Sequence, residues 1–292
     1  MRCNRLINEA MRRQGDCMGC QRGFTLKNCV FLSLRSAFTI FAAQMEELSK
    51  EDSKIIFKLH QKFGKALKDY GLITDGDKVL IGLSGGKDSL ALVELFAKRA
   101  AIFKPKFEVV AAHVSMSNVP YQSDINYLKS YCEQFNIPFY HQIGSFDPST
   151  DTRKSPCFLC AWNRRKKLFE LAKELGCTKI ALGHHQDDIL ATLLMNLTFQ
   201  GAFSTMPPYL KMNHVDVDII RPMCLIAESE IKEIARIRNF VKPIKNCPYE
   251  TQSHRSDMSE VMALLEKMNP QARHSLWGSM TNIQTDYLPK KI

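Results

Sequence analysis

Apolar and polar positions change their period twice along this chain. From Glu46 to Tyr70, apolar side chains recur at Ile55, Ile56, Leu59, Phe63 and Leu67, which predicts a helix with one buried face. From residue 76 the pattern becomes an alternation of strand and helix signals. Lys78–Leu83 is a continuous apolar run after a Gly-Asp turn, as expected of a strand buried on both faces. A helix is expected from about Ser89 to Ala100, a strand over Phe107–Val114 and a helix over Ser123–Phe135. Pro138–Gln142 reads as a short strand, Ala161–Leu175 as a helix, Lys179–Leu182 as a strand and Asp188–Phe199 as a helix. A strand at Val215–Ile220 and a helix at Glu228–Arg238 close the series. This alternation predicts βαβ units, hence an α/β fold with a doubly wound parallel sheet and helical N- and C-terminal additions. The chain divides on this reading into an extension (1–44), an N-terminal helical segment (45–75), the α/β domain (76–225) and a C-terminal helical segment (226–292).

Composition narrows the class. With 45% hydrophobic and 24% charged residues in 292, the chain is not disordered, collagen-like or a coiled coil. The longest apolar stretch, Cys29 to Ala43, falls short of the ~18 residues of a membrane span and carries Arg35, so a soluble protein with no membrane partner is expected. Forty Lys and Arg against thirty Asp and Glu give +10, pointing to a polyanionic partner. Residues 1–44 hold seven basic and two acidic residues, half of that excess. The simplest reading of this segment makes Met45 the start of the protein. A transit peptide and a zinc site at Cys3, Cys17, Cys20 and Cys29 are the other two. Ten cysteines, including two C-x-x-C pairs, lack the density of a small extracellular disulfide framework and place the protein in the reducing cytoplasm.

Three motifs carry candidate chemistry. Ser84-Gly85-Gly86-Lys87-Asp88-Ser89 falls between the first expected strand and its helix, where an open α/β sheet binds ligands. The glycines let backbone approach an anion, and the helix N-terminus offers unpaired N–H groups. Lys87 adds a point charge for phosphate, and Ser84 and Ser89 supply hydroxyls. A Walker A loop is excluded, because Ile81 and Asp88 stand where that pattern needs Gly and Ser or Thr. A carboxylate within a phosphate cradle repels the ligand unless it holds a cation, so Asp88 reads as a Mg²⁺ ligand. These residues form an expected phosphate site, and their sequence resembles the pyrophosphatase loop of enzymes that split ATP to adenylate a substrate, which implies an ATP site. The second motif, Gly183-His184-His185-Gln186-Asp187-Asp188, follows another strand. Its paired carboxylates would either cap the next helix or hold Mg²⁺ and orient the acceptor, with Asp187 the stronger functional candidate and Gly183 and His184 assigned to the ATP site. The third is Cys157 and Cys160 at the start of a helix carrying Arg164, Arg165, Lys166 and Lys167, with Cys247 in a distant loop. Three thiolates suit an iron–sulfur cluster with one open iron, a zinc site with a fourth ligand, or a redox pair passing persulfide sulfur. Cys132, Cys177 and Cys224 read as buried small hydrophobes.

Together these motifs, with Met206-Pro207-Pro208, Ile220-Arg221-Pro222 and Ser279-Met280-Thr281-Asn282, resemble the tRNA 2-thiocytidine synthetase family of pyrophosphatase-loop ATPases, from about Leu48 to Leu288. The resemblance implies ATP- and Mg²⁺-dependent sulfur insertion at cytidine 32 of tRNA. It implies Lys87, Asp88 and Asp187 in catalysis and a [4Fe–4S] cluster on Cys157, Cys160 and Cys247. It also implies a sulfur donor such as a cysteine desulfurase, and leaves room for a homodimer. The basic residues Arg153, Lys154, Arg164, Arg165, Lys166 and Lys167 become the expected tRNA surface. One departure stands out: the family's usual Pro-Cys-Asn-Leu-Cys is here Asn-Cys-Pro-Tyr-Glu, leaving Cys247 alone. A ligase resembling lysidine synthetase, a thiolase for another tRNA base and a non-catalytic RNA-binding module are the competing expectations.

Overall fold

The stripe after residue 45 folds as α1 (Lys50–Asp69), which buries Ile56, Leu59, Phe63, Ala66 and Leu67. The computed structural model describes residues 48–289 except 103, 120–122, 148, 150–154 and 243–253. The extension with its four cysteines, Arg153, Lys154 and Cys247 lie outside the described residues. Lys50–Ile292 forms one compact unit.

After α1 come β1 (Lys78–Gly82), α2 (Lys87–Ala100), β2 (Glu108–Met116), α3 (Ile125–Gln134), β3 (Phe139–Gly144), α4 (Pro156–Glu174), β4 (Lys179–Ala181) and α5 (Gln186–Met195). Then follow β5 (Tyr209–Leu210), β6 (Asp218–Ile220), α6 (Glu228–Ile237), α7 (His254–Met268) and α8 (Ala272–Ser279). The sheet order is β3-β2-β1-β4-β6-β5. Every neighbouring pair is parallel except β5 with β6. The antiparallel edge strand was not expected from sequence: its two residues are too few to show a period. The strand expected over 215–220 shortens to Asp218–Ile220 for a related reason, since ladder pairing with β4 covers only three residues.

Alternation within β1 explains its continuous apolar run. Val79 and Ile81 join a core with Phe63 and Leu67 of α1 and Leu92 and Phe96 of α2, where the Phe63 and Phe96 rings meet edge to face at 5.1 Å. Leu80 points to the opposite face, with Val110, Ala112 and the α4 residues Leu159, Leu168 and Leu171. Each such fully buried side chain contributes about 1.5–3 kcal/mol. Cys132 and Cys177 are buried in these cores and Cys224 in a smaller cluster with Ala66 and Ile189, as expected.

Two buried ion pairs fix the sheet and its helices. Below β1, Asp77 accepts from Lys179 Nζ at 2.6 Å and from both Thr74 and Thr178. Within α2, fully buried Glu94 accepts both arms of Arg238 at 2.7 and 3.0 Å and pairs with Lys98. Burial opposes the charge on Glu94, yet Arg238 and Lys98 outweigh it and hold the carboxyl below its ordinary range. This second pair ties the end of α6 to α2.

The chain leaves β1 for β2 and β3 on one side, then returns to β4 on the other. That reversal opens a crevice at the carboxyl ends of β1 and β4. Crossover helices run back along the sheet, so α2, α4 and α5 all begin on that same edge.

Candidate active site

The turn after β1 presents residues 84–89 at the crevice. Gly85 adopts φ +87°, the left-handed region that favours glycine. Gly86 is the N-cap of α2 and no side chain caps that helix end, which leaves its first N–H groups directed at the crevice. Ser89 is buried, donates to the Gly86 carbonyl at 2.9 Å and accepts from the Ser84 N–H at 3.1 Å, so the hydroxyl shapes the loop from within. His113 on β2 contacts the Leu83 carbonyl through Nδ1 at 2.8 Å; burial pushes its pKa down to about 4, keeping the imidazole neutral. Lys87 Nζ lies 2.9 Å from Asp88 and 3.1 Å from Glu228. Burial works against the ammonium, but these two carboxylates more than compensate and raise its pKa above the ordinary lysine value.

The turn after β4 meets this loop backbone to backbone. A Cβ placed on Gly183 would lie 3.2 Å from the carbonyl carbon of Asp88 and the amide nitrogen of Ser89. The two glycine-bearing motifs are thus held together by the absence of a side chain. Gly183→Ala should force the loops apart and raise the KM for ATP roughly tenfold, equivalent to about 1.4 kcal/mol, with little change in Tm; steady-state kinetics over ATP concentration measures it.

The paired carboxylates divide their roles. Asp188 accepts from the His185 N–H at 3.1 Å and caps α5, the structural alternative foreseen for it. Asp187 accepts from the Glu228 N–H at 2.7 Å and pairs with Arg273 Nη1 at 2.8 Å, joining the starts of α5 and α6 to α8. His185, nearly buried, has ring nitrogens 3.8 Å from Asp88, 3.6 Å from Asp187 and 3.5 Å from Asp188. No group of three or more His, Cys, Asp or Glu side chains among the described residues is gathered to hold a metal alone. The oxygens at Asp88 suit Mg²⁺, which characteristically completes its shell with phosphate oxygens and water.

The cysteine helix starts on the same edge. Ser155 caps α4 by accepting from the Phe158 N–H at 3.3 Å, and Pro156 occupies the first turn, so α4 begins five residues before the expected Ala161. Both cysteines consequently lie within the first turns, Cys157 exposed and Cys160 half-buried, and neither forms a disulfide. Two thiols one turn apart at a helix N-terminus fit a metal or cluster that prefers thiolates. Along the same helix Arg165 is exposed, Lys166 sits over the Trp162 ring at 5.7 Å, Lys167 pairs with Glu170 at 2.8 Å and Arg164 is half-buried. At the end of β6, Arg221 donates to the Pro207 carbonyl at 2.6 Å, joining two of the sequence motifs; burial and then Arg165 push its pKa down.

Glu228, Arg273 and His113 escaped sequence reasoning, because no local motif surrounds them and only the fold brings them to the crevice; the contact of Gly183 with the Asp88 and Ser89 backbone is likewise a product of the fold. No helix among the described residues is long and apolar enough to cross a membrane.

Comparison with known proteins places this geometry. The PP-loop domain family matches residues 55–242. The tRNA-cytidine(32) 2-sulfurtransferase of Acinetobacter baylyi is 34% identical over 242 residues, covering 80% of this chain and 79% of that one. The enzyme of the same name from Polynucleobacter necessarius subsp. necessarius is 35% identical over 241 residues, covering 82% and 80%. Among solved structures, the U34-tRNA thiolase NcsA from Methanococcus maripaludis with its [4Fe-4S] cluster superposes with a TM-score of 0.65 at 27% identity over 82% of each chain. The chain therefore belongs to the PP-loop family, in its tRNA-cytidine(32) 2-sulfurtransferase branch.

Proposed function

We propose that this protein is an ATP-dependent tRNA sulfurtransferase that replaces the C2 oxygen of cytidine 32 with sulfur. The observation carrying this reading is that the phosphate loop, the Gly183 loop and the cysteine-bearing start of α4 all occupy the carboxyl edge of one sheet. ATP phosphates fit the uncapped start of α2, where Lys87 and the loop amides oppose their charge. The cytidine O2 attacks the α-phosphorus, pyrophosphate leaves, and C2 becomes electrophilic; sulfide then attacks C2 and AMP departs with the former oxygen. Asp88 would hold Mg²⁺, which when bound would further neutralise phosphate charge. Asp187 positions α5, α6 and α8 around the crevice, and Glu228 holds Lys87 in place.

Cys157, Cys160 and Cys247 would hold the [4Fe–4S] cluster, which when bound would supply the sulfur chemistry of this exchange. The sulfur comes from a donor such as a cysteine desulfurase, and reduced thiols and tRNA make the cytoplasm the natural location. Arg164, Arg165, Lys166 and Lys167 form part of the tRNA surface, together with Arg153 and Lys154; a homodimer is tested directly by solution mass.

Anaerobically purified protein should contain about four iron and four sulfide per chain, and should form 2-thiocytidine in tRNA with ATP and sulfide. Cys157→Ala should lose the iron and roughly 99% or more of thiolation, since even changing an outer-shell partner of a metal site costs about 10–100-fold, while ATP binding persists. Lysine-dependent pyrophosphate release without thiolation would replace this reading with a ligase, and thiolation of a different base would move the target.

A further inference from the structure

Helix α4 carries an aromatic group that the reaction does not use. Trp162 is half exposed, and Phe158, one turn earlier, is 45% exposed. Lys166 sits over the Trp162 ring at 5.7 Å, and about half of that side chain still faces water. Phe158, Trp162 and Lys166 stand four residues apart and so share one stripe. Lys166 also belongs to the neighbouring stripe of Asn163, Lys167 and Glu170, which forms one wall of a polar cavity of about 400 Å³. The other wall comes from Ser117, at the end of β2, and the Ile143–Ser145 turn after β3. Lys166 is therefore shared between an exposed aromatic face and a polar groove, midway along α4 and beside the carboxyl ends of β2 and β3.

We propose that Trp162 and this groove form a binding site for one unpaired nucleotide of the RNA substrate, its base stacked on the indole and its phosphate at Lys166. The inference rests on the tRNA reading given above. Three features favour a nucleotide. Every nucleobase offers a π-face, and exposed aromatic rings on basic surfaces are stacking platforms for single-stranded RNA. The cavity is large enough for one nucleotide, and its lining is polar. The cationic residues Arg165 and Lys166 on the outer face complement a phosphodiester, whereas Lys167 is already paired with Glu170. Duplex RNA, with its bases stacked internally, has no such base to offer.

The chain contains two tryptophans, Trp162 and Trp277, so Trp277→Phe leaves Trp162 as a lone reporter. Titrating this variant with an anticodon stem-loop should quench its fluorescence, and a blunt duplex of the same length should not. Trp162→Ala in the otherwise native protein should raise the Kd and KM for tRNA roughly tenfold or more, with the KM for ATP and the iron content unchanged; Trp162→Phe should restore most of the loss. If the parent binds and thiolates tRNA but Trp162→Ala does so equally well, or the stem-loop leaves the reporter unquenched at saturation, the site is wrong while the sulfurtransferase reading stands. Equal quenching by the duplex also overturns it, since then no unpaired base is required. A parent that binds no tRNA at all removes the functional reading and this site together.

Discussion

Lys87→Ala is expected to lower tRNA-dependent AMP formation by roughly 10²–10³-fold, the effect of deleting one preorganised charge from a site where negative charge develops. Its ammonium is the cation nearest the uncapped start of α2, and its carboxylate partners Asp88 and Glu228 keep it charged. Because that pairing raises the pKa, the rate should not fall on the alkaline side through loss of this proton below the ordinary lysine pKa of about 10.4. The variant should fold normally, since Lys87 is only partly buried and Glu228 retains Lys232 at 3.1 Å. Lys87→Arg should recover little: a planar fork does not replace a compact ammonium between two carboxylates and a phosphate. Radiolabelled AMP release at saturating tRNA, beside a Tm, measures the effect. A Lys87→Ala enzyme within threefold of the parent would remove Lys87 from the chemistry.

The largest loss of stability should come from the opposite edge of the sheet. Asp77→Ala strands the Lys179 ammonium, whose side chain is 8% exposed and whose 2.6 Å partner is Asp77. Removing one member of a buried pair costs about 3–5 kcal/mol, which for a unit of this size lowers Tm by roughly 10 °C. Thr74 and Thr178 would also lose the oxygens they donate to. Replacing both members, Asp77→Leu with Lys179→Met, should recover most of the loss, because no uncompensated charge then remains. Burial raises the cost of ionising Asp77, but its bonds from Lys179, Thr74 and Thr178 outweigh it, and its folded pKa lies below the unfolded value. A depressed carboxylate contributes stability that is complete above the unfolded pKa near ~3.9 and is lost as pH falls through the folded pKa. The parent should thus be flat from pH 7 to about pH 5 in this contribution and weaken below pH 4, and Asp77→Ala should lack that acid-side component. Denaturant melts of the two proteins at pH 7 and pH 3.5 compare them.

The phosphate loop could be read from the chain because its requirements are local. A left-handed turn needs Gly85, close approach of an anion needs small residues, and the charge must arrive on the next helical turn, so Ser84 to Ser89 announce themselves in six consecutive positions. Burial on both faces of β1 is local too, since an unbroken apolar run has no polar side to offer water. Helix α4 starts before its apolar periodicity does, because Ser155 and Pro156 set the helix end by capping rather than by burial. Asp187 and Asp188 look alike in sequence. One caps its own helix, and the other reaches Glu228 and Arg273, positions 41 and 86 residues away.

What the sequence determined, then, is each element whose cause lies within a few residues: the strands and helices of the βαβ series, the anion-binding turn and the paired thiols at a helix start. The tertiary structure alone decided which turns share a crevice, that Gly183 must lack a side chain because Asp88 and Ser89 backbone fills its place, and that Lys87 is held by a carboxylate from α6. Such contacts depend on the order in which strands join the sheet. That order is fixed by how the helices cover both faces, a property of the whole core that no short window of sequence contains.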